Sequence, residues 1–256
     1  MSASDPIRIE TLEAVAFVTF DRPKHNVFNI EMMERFCAVL ADLAENRELK
    51  CLVLKGEGRS WCAGVDVGDH KPDKVHWMID TFNRSLTLLS QMPFPTVAAV
   101  HGACLGGGME YAIACDAVFA AQKATFGQPE VKLGFLPPYA AVRLPGLVGP
   151  ARAVEICTSG KIYAAEEGLR MGFVSHVAGD ETFENALNEF VAEFRSSSPL
   201  ILRLNKQAVN QHLGLSPSDA LNGVSDLFLS RLMKSRDTLE GIASFYEKRK
   251  PEWKNA

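Results

Sequence analysis

A chain of 256 residues with 47% hydrophobic content can bury the core of one large domain, which excludes a disordered or fibrous protein. A formal charge of −4 with a pI near 5.9 argues against a broad polyanion-binding surface, yet leaves room for a few cations around a small phosphate-bearing ligand. The six cysteines, at 37, 51, 62, 104, 115 and 157, form neither a CxxC pair nor a secreted disulfide framework, so free thiols in a reducing, cytoplasmic compartment are expected. MSASDPIRIE lacks a basic stretch leading into an apolar one, and no apolar run reaches the length of a membrane span. Neither nucleic acid nor membrane is expected as a partner.

In chain order, residues 7 to 20 read as two short strands around a polar break, closed by the turn chemistry of Asp21-Arg22-Pro23-Lys24. From Asn29 the spacing turns helical, with Met33, Phe36, Cys37, Leu40 and Leu43 on one stripe, and CLVLKG at 51 to 56 supplies a buried strand. The rhythm repeats: a polar loop at 57 to 72, an amphipathic helix from about Ile79 to Leu89, the strand TVAAV at 96 to 100, a glycine loop, and a helix from about Gly107. DAVFAA at 116 to 121 is another strand. Beyond residue 180 the strands stop and three or four helical patterns follow. The expected architecture is therefore α/β, with a core over 1 to 180 carrying the site and a helical region over 181 to 256.

Three segments carry chemistry. Gly58-Arg59-Ser60-Trp61-Cys62-Ala63-Gly64-Val65-Asp66 follows a buried strand, where open α/β sheets bind ligands; taken alone it also fits an ordinary surface turn. His101-Gly102-Ala103-Cys104-Leu105-Gly106-Gly107-Gly108-Met109-Glu110 follows the next strand. Its glycines suit main chain that exposes N–H groups at the start of a helix, with Glu110 one turn in; they equally suit close helix packing alone. In Phe126-Gly127-Gln128-Pro129-Glu130-Val131-Lys132-Leu133-Gly134, Pro129 holds Glu130 on a rigid stretch, though a lone glutamate there more often faces solvent. His101 and Cys104 have ligand-like spacing without a second pair, so no metal is expected. His70 and His76 read as surface or loop residues. LGGGME is not a dinucleotide fingerprint, and no GxSxG elbow is present.

Together, DRPKHN at 21 to 26, GRSWCAGVD at 58 to 66, HGACLGGGMEYAIACD at 101 to 116, FGQPEVKLG at 126 to 134 and EGIASFYEKRKPEW at 240 to 253 resemble the enoyl-CoA hydratase/isomerase (crotonase) family over essentially the whole chain. The resemblance implies a spiral of ββα units with a helical C-terminal region that trimerises, often as a dimer of trimers. It also implies a hydratase acting on acyl-CoA thioesters with no separate cofactor, coenzyme A being part of the substrate. By the same resemblance, the backbone N–H groups of Val65 and Gly107 form an oxyanion hole, and Glu110 and Glu130 handle proton and water. Lys24 would lie near the coenzyme A phosphates and Ala63, Asp66 and Val67 near the adenine, with Phe245 and Lys248 reaching a neighbouring subunit's coenzyme A.

Where straight-chain hydratases read roughly GTIPGAGGTQRL, this chain has Gly134-Phe135-Leu136-Pro137-Pro138-Tyr139-Ala140-Ala141-Val142-Arg143-Leu144. Pro137, Pro138 and Tyr139 are expected to alter the substrate pocket, Pro138 by lacking an N–H and Tyr139 by adding an aromatic surface. With VDVGDHKPDKV at 65 to 75, this looks like the branch that hydrates cyclohexa-1,5-diene-1-carbonyl-CoA in anaerobic aromatic degradation. The alternatives are a straight-chain hydratase or isomerase and a non-catalytic acyl-CoA-binding protein.

Overall fold

A computed structural model describes residues 5–256. Two strands, β1 (Ile7–Leu12) and β2 (Val15–Phe20), form an antiparallel hairpin, followed by α1 (Ile30–Glu45), whose Asn29 cap accepts from the Met32 N–H at 3.0 Å. Three similar units come next: β3 (Cys51–Gly56), β4 (Ser60–Cys62) and α2 (Val75–Ser90); β5 (Thr96–Val100), β6 (Ala103–Leu105) and α3 (Gly107–Ala114); β7 (Ala117–Ala121) and β8 (Thr125–Gly127), leading into a 3-10 turn over Pro129–Leu133. The first strand of each unit joins a six-stranded sheet of order β1-β2-β3-β5-β7-β10, parallel from β2 onward. The second joins a four-stranded sheet, β4-β6-β8-β9. The α/β class is that expected from the repeating rhythm, and the spiral of ββα units is the one the family resemblance implies. After the 3-10 turn come α4 (Pro138–Val148), α5 (Pro150–Ser159), β9 (Ile162–Ala164), α6 (Ala165–Met171) and β10 (His176–Ala178). Then α7 (Phe183–Arg195), α8 (Pro199–Asn210), α9 (Pro217–Ser230) and α10 (Arg236–Glu247) complete the chain.

Side chains alternate across the large sheet and thereby build two cores. Leu52 and Leu54 of β3, with Ala98 and Val100 of β5, face α1, α2 and α3. Cys51, Val53, Val97, Ala99 and Phe119 face the other way, onto Phe183, Leu187 and Val191 of α7. The strands end at β10, as expected near residue 180, but the packing of the core sheet extends through α7.

The residue patterns alone give no sign of the short second sheet, although the ββα units implied by the resemblance contain its strands. Its strands span three residues each, too few to show a period-2 pattern. The helix expected from Ile79 begins a turn earlier, at Val75, because its first turn carries solvent-facing His76 and Trp77 rather than a stripe. All six cysteines are free thiols; Cys62 and Cys104 stand opposite one another on β4 and β6, fully buried. No helix among the described residues is long and apolar enough to cross a membrane.

Candidate active site

The site is assembled where loops leave the C-terminal ends of adjacent strands. Buried Asn26 ties the first loop to the second: its side-chain amide donates to the backbone carbonyls of Glu57 (2.9 Å), Ser60 (2.8 Å) and Trp61 (3.2 Å). The Ala63 N–H adds a bond to the His25 carbonyl at 2.9 Å. Lys24 is thereby held, exposed, beside the segment that carries Ala63 and Val65. Val65 is bracketed by its neighbours, since Phe28 donates to the Gly64 carbonyl (2.9 Å) and Asp66 donates to the Phe28 carbonyl (2.8 Å). That parallel pairing turns the Val65 N–H away from Phe28, and no acceptor among the described residues takes it.

Gly107 opens α3, so its N–H has no carbonyl within the helix, and among the described residues it also has no acceptor. Two glycines make this geometry possible. At Gly108 a Cβ would sit 2.2 Å from the Cys62 carbonyl oxygen, so only glycine lets α3 approach β4 this closely. Gly106 has φ +55°, and a Cβ there would meet Glu130 Oε1 at 2.8 Å and Gly64 Cα at 3.8 Å, which locates the meeting point of all three segments. The helix is anchored from below by Tyr111, whose hydroxyl pairs with Ser85 Oγ at 2.6 Å inside the aromatic cluster of Phe28, Phe36 and Phe82.

Glu110 and Glu130 line one cavity of about 420 Å³ together with Val65 and Gly107. Glu110 is 2% exposed. Its Oε1 accepts from the N–H groups of Tyr139 (2.6 Å) and Ala140 (2.8 Å), so this carboxylate caps the N-terminus of α4 in place of a local cap. Burial nevertheless dominates and pushes its pKa up to about 8, with the nearby Glu130 charge adding to the rise against those two bonds. Glu130, on the 3-10 turn, is pushed up to about 7, chiefly by burial, against a hydrogen bond from its own backbone. Gln128 is fully buried beside it. With its NH2 turned toward the carboxylate, it donates to the two oxygens at 3.0 and 3.1 Å. Cys157 of α5 stands near both carboxylates, and its thiol is raised by burial first and by their charges second.

The structure distributes the other expected site residues unevenly around this cavity. Of Pro137, Pro138 and Tyr139, only Pro138 lines the cavity. Pro137 is buried at the cap of α4, and Tyr139 packs against the main core with its hydroxyl beside Ser90, away from the cavity. Pro138 occupies the first helical position, where an N–H would have no helical partner, and the next two N–H groups serve Glu110. His70, read as a surface or loop residue, lines the cavity. Ala63 and Val67 also line it, whereas the Asp66 carboxylate is engaged by Arg22 (3.4 Å) and the Gly68 N–H (2.9 Å). Phe245 and Lys248 are exposed at the end of α10, outside the cavity of their own chain. Asn26, His70 and Gln128 were missed, although Asn26 and Gln128 lie inside the recognised motifs.

Residues 10 to 256 match the model of the family described as enoyl-CoA hydratase/isomerase. The chain belongs to this family. Among its relatives, cyclohexa-1,5-dienecarbonyl-CoA hydratase from Thauera aromatica is 32% identical over 257 residues, covering 99% of this chain and 98% of that protein. A short-chain-enoyl-CoA hydratase from Clostridium acetobutylicum is 33% identical over 93% of each chain. The crystal structure of an enoyl-CoA hydratase from Bacillus anthracis superposes with a TM-score of 0.93 at 27% identity, covering 98% of this chain and all of that one. The fold is therefore the crotonase fold, and this enzyme is of the enoyl-CoA hydratase type, whose hydratases are carbon–oxygen lyases.

Proposed function

We propose that the enzyme adds water across a carbon–carbon double bond conjugated to a coenzyme A thioester. The observation that carries this reading is the convergence, on one cavity, of two unpaired backbone N–H groups and two buried carboxyls of raised pKa. The thioester carbonyl would lie between Val65 N–H and Gly107 N–H, the latter at the positive end of α3. Both donors strengthen as the oxygen takes on enolate charge. One carboxylate of the Glu110–Glu130 pair takes a proton from water as its oxygen bonds to the β-carbon, and the other carboxyl gives its proton to the α-carbon. The pair thus begins and ends with one proton. Gln128 orients Glu130, and the α4 amides leave Oε2 of Glu110 free for the reaction. Lys24, Ala63, Asp66 and Val67 are assigned to coenzyme A.

For the acyl group we propose a cyclic diene, cyclohexa-1,5-diene-1-carbonyl-CoA. The Thauera aromatica relative supports this, as does the Pro137-Pro138 start of α4, which stiffens one side of the cavity. The Clostridium acetobutylicum relative, equally similar, favours a short straight chain, so overall identity does not separate the two. Measuring kcat/KM with purified enzyme decides: the cyclic dienoyl thioester should exceed crotonyl-CoA by roughly tenfold or more. Equal or better turnover of crotonyl-CoA would refute the cyclic assignment, and no water adduct on either thioester would refute hydration itself. We further propose a homotrimer or dimer of trimers, with Phe245 and Lys248 closing over a neighbour's coenzyme A. The C-terminal helices leave Leu221, Phe228, Leu229 and Phe245 exposed, with Leu227 buried among them. A monomer in sedimentation at micromolar concentration would contradict this.

A further inference from the structure

His70 and Phe135 are distant in sequence yet meet with ring centroids 4.7 Å apart and planes tilted by 34°, and both line the cavity. Each ring is tied to a segment of the reaction centre. His70 Nδ1 is 3.0 Å from the carbonyl of Asp66, the residue after Val65. A carbonyl can only accept, so Nδ1 carries the proton in the neutral ring and the imidazole plane is fixed. The Phe135 N–H donates to the carbonyl of Glu130 at 3.0 Å, and Gly134, with φ +80°, makes the turn that brings it there. The two rings therefore bridge the segments that supply one oxyanion donor and one carboxyl. Met78, Ile79 and Phe82 of α2 add apolar surface to the same cavity.

We propose that the His70–Phe135 pair is the specificity-determining wall of the acyl compartment, admitting short or cyclic acyl groups and excluding long straight chains. The inference rests on the cavity being the acyl-CoA site. A flat unsaturated ring can lie along two tilted aromatic faces and fill the compartment, whereas a chain that must pass between them has to part a packed pair. Both rings are held at fixed register to the reaction centre by backbone bonds, so the wall does not retreat as the chain lengthens.

The test compares kcat/KM for crotonyl-CoA, the cyclic dienoyl-CoA and trans-2-decenoyl-CoA across wild type, His70→Ala, Phe135→Ala and His70→Phe. Wild type should discriminate against the ten-carbon chain by roughly tenfold or more relative to the best short substrate. Each alanine variant should shrink that ratio by about tenfold. His70→Phe restores a ring without the hydrogen bond and should keep most of the discrimination, a pattern that general loss of structure would not give. Wild-type enzyme that accepts the ten-carbon chain as well as the four-carbon one would overturn the proposal. So would alanine variants that fold, by circular dichroism, yet leave the ratio unchanged. Wild-type enzyme inert toward all three thioesters would instead sink the hydratase reading on which the proposal rests.

Discussion

The two glutamates reach the cavity from segments of opposite character. Glu110 sits on a regular helix, is 2% exposed, and has one oxygen committed to the amides that start α4. Glu130 sits on a five-residue 3-10 turn between Pro129 and the left-handed Gly134, is partly open to the cavity, and is flanked by the buried amide of Gln128. One carboxyl is fixed by secondary structure and the other by a rigid irregular loop, yet burial raises both above the ordinary carboxylate range. Placing a titratable group is thus a matter of what surrounds it, and a helix and a turn serve equally if each is over-determined.

The sharpest way to break the comparison is to neutralise each group in turn. Glu110→Gln and Glu130→Gln should each lower kcat by roughly a hundredfold or more while leaving coenzyme A binding largely intact, as measured by steady-state kinetics and calorimetry with a saturated acyl-CoA. Wild-type turnover in either variant would show that the two are not a working pair. A smaller effect comes from pH. With Glu130 near 7 and Glu110 near 8, the pair holds a single proton between those values. The kcat/KM profile should therefore be a bell with its maximum between about 7 and 8, falling about tenfold per unit beyond either limb. Each single glutamine variant should lose one limb. The smallest effect is on stability. Both carboxyls bind protons in the folded state that the unfolded chain, with values near 4.5, releases, so their contribution falls as pH climbs from about 4.5 through about 8. Glu110→Gln should match wild type near pH 5 in thermal melts and exceed it at pH 9 by on the order of 1–3 kcal/mol.

Much of this was legible in the sequence. The continuous apolar runs CLVLKG and TVAAV pointed to buried strands, and the glycines before Glu110 fitted a helix start with open amides as well as they fitted close helix packing. What the sequence could not give was direction. Tyr139 was expected to add an aromatic surface to the pocket because its segment stands where straight-chain hydratases carry a glycine-rich stretch. Its backbone instead enters α4, and the helix phase turns the ring toward Ser90 while leaving its N–H for Glu110. His70 read as a loop residue because its partners lie in tertiary space, at the Asp66 carbonyl and the Phe135 ring. Gln128 stood two residues from Glu130 in plain view, but only burial reveals that its amide has the carboxylate to satisfy. The residue patterns did not reveal the second sheet, which only the resemblance implied, because its three-residue strands are too short for a pattern and are held in place by their neighbours.

The facing thiols of Cys62 and Cys104 have a use apart from catalysis. Burial pushes Cys62 up to about 12 and Cys104 well above its ordinary value, so both stay protonated at neutral pH. An alkylating reagent can modify such a sulfur only when β4 and β6 part, so the labelling rate counts how often the floor beneath the Val65 and Gly107 amides opens. Cys157, only half-buried in α5, would mark the looser outer layer. The chain thus carries two built-in clocks, one timing its rim and one timing its foundation.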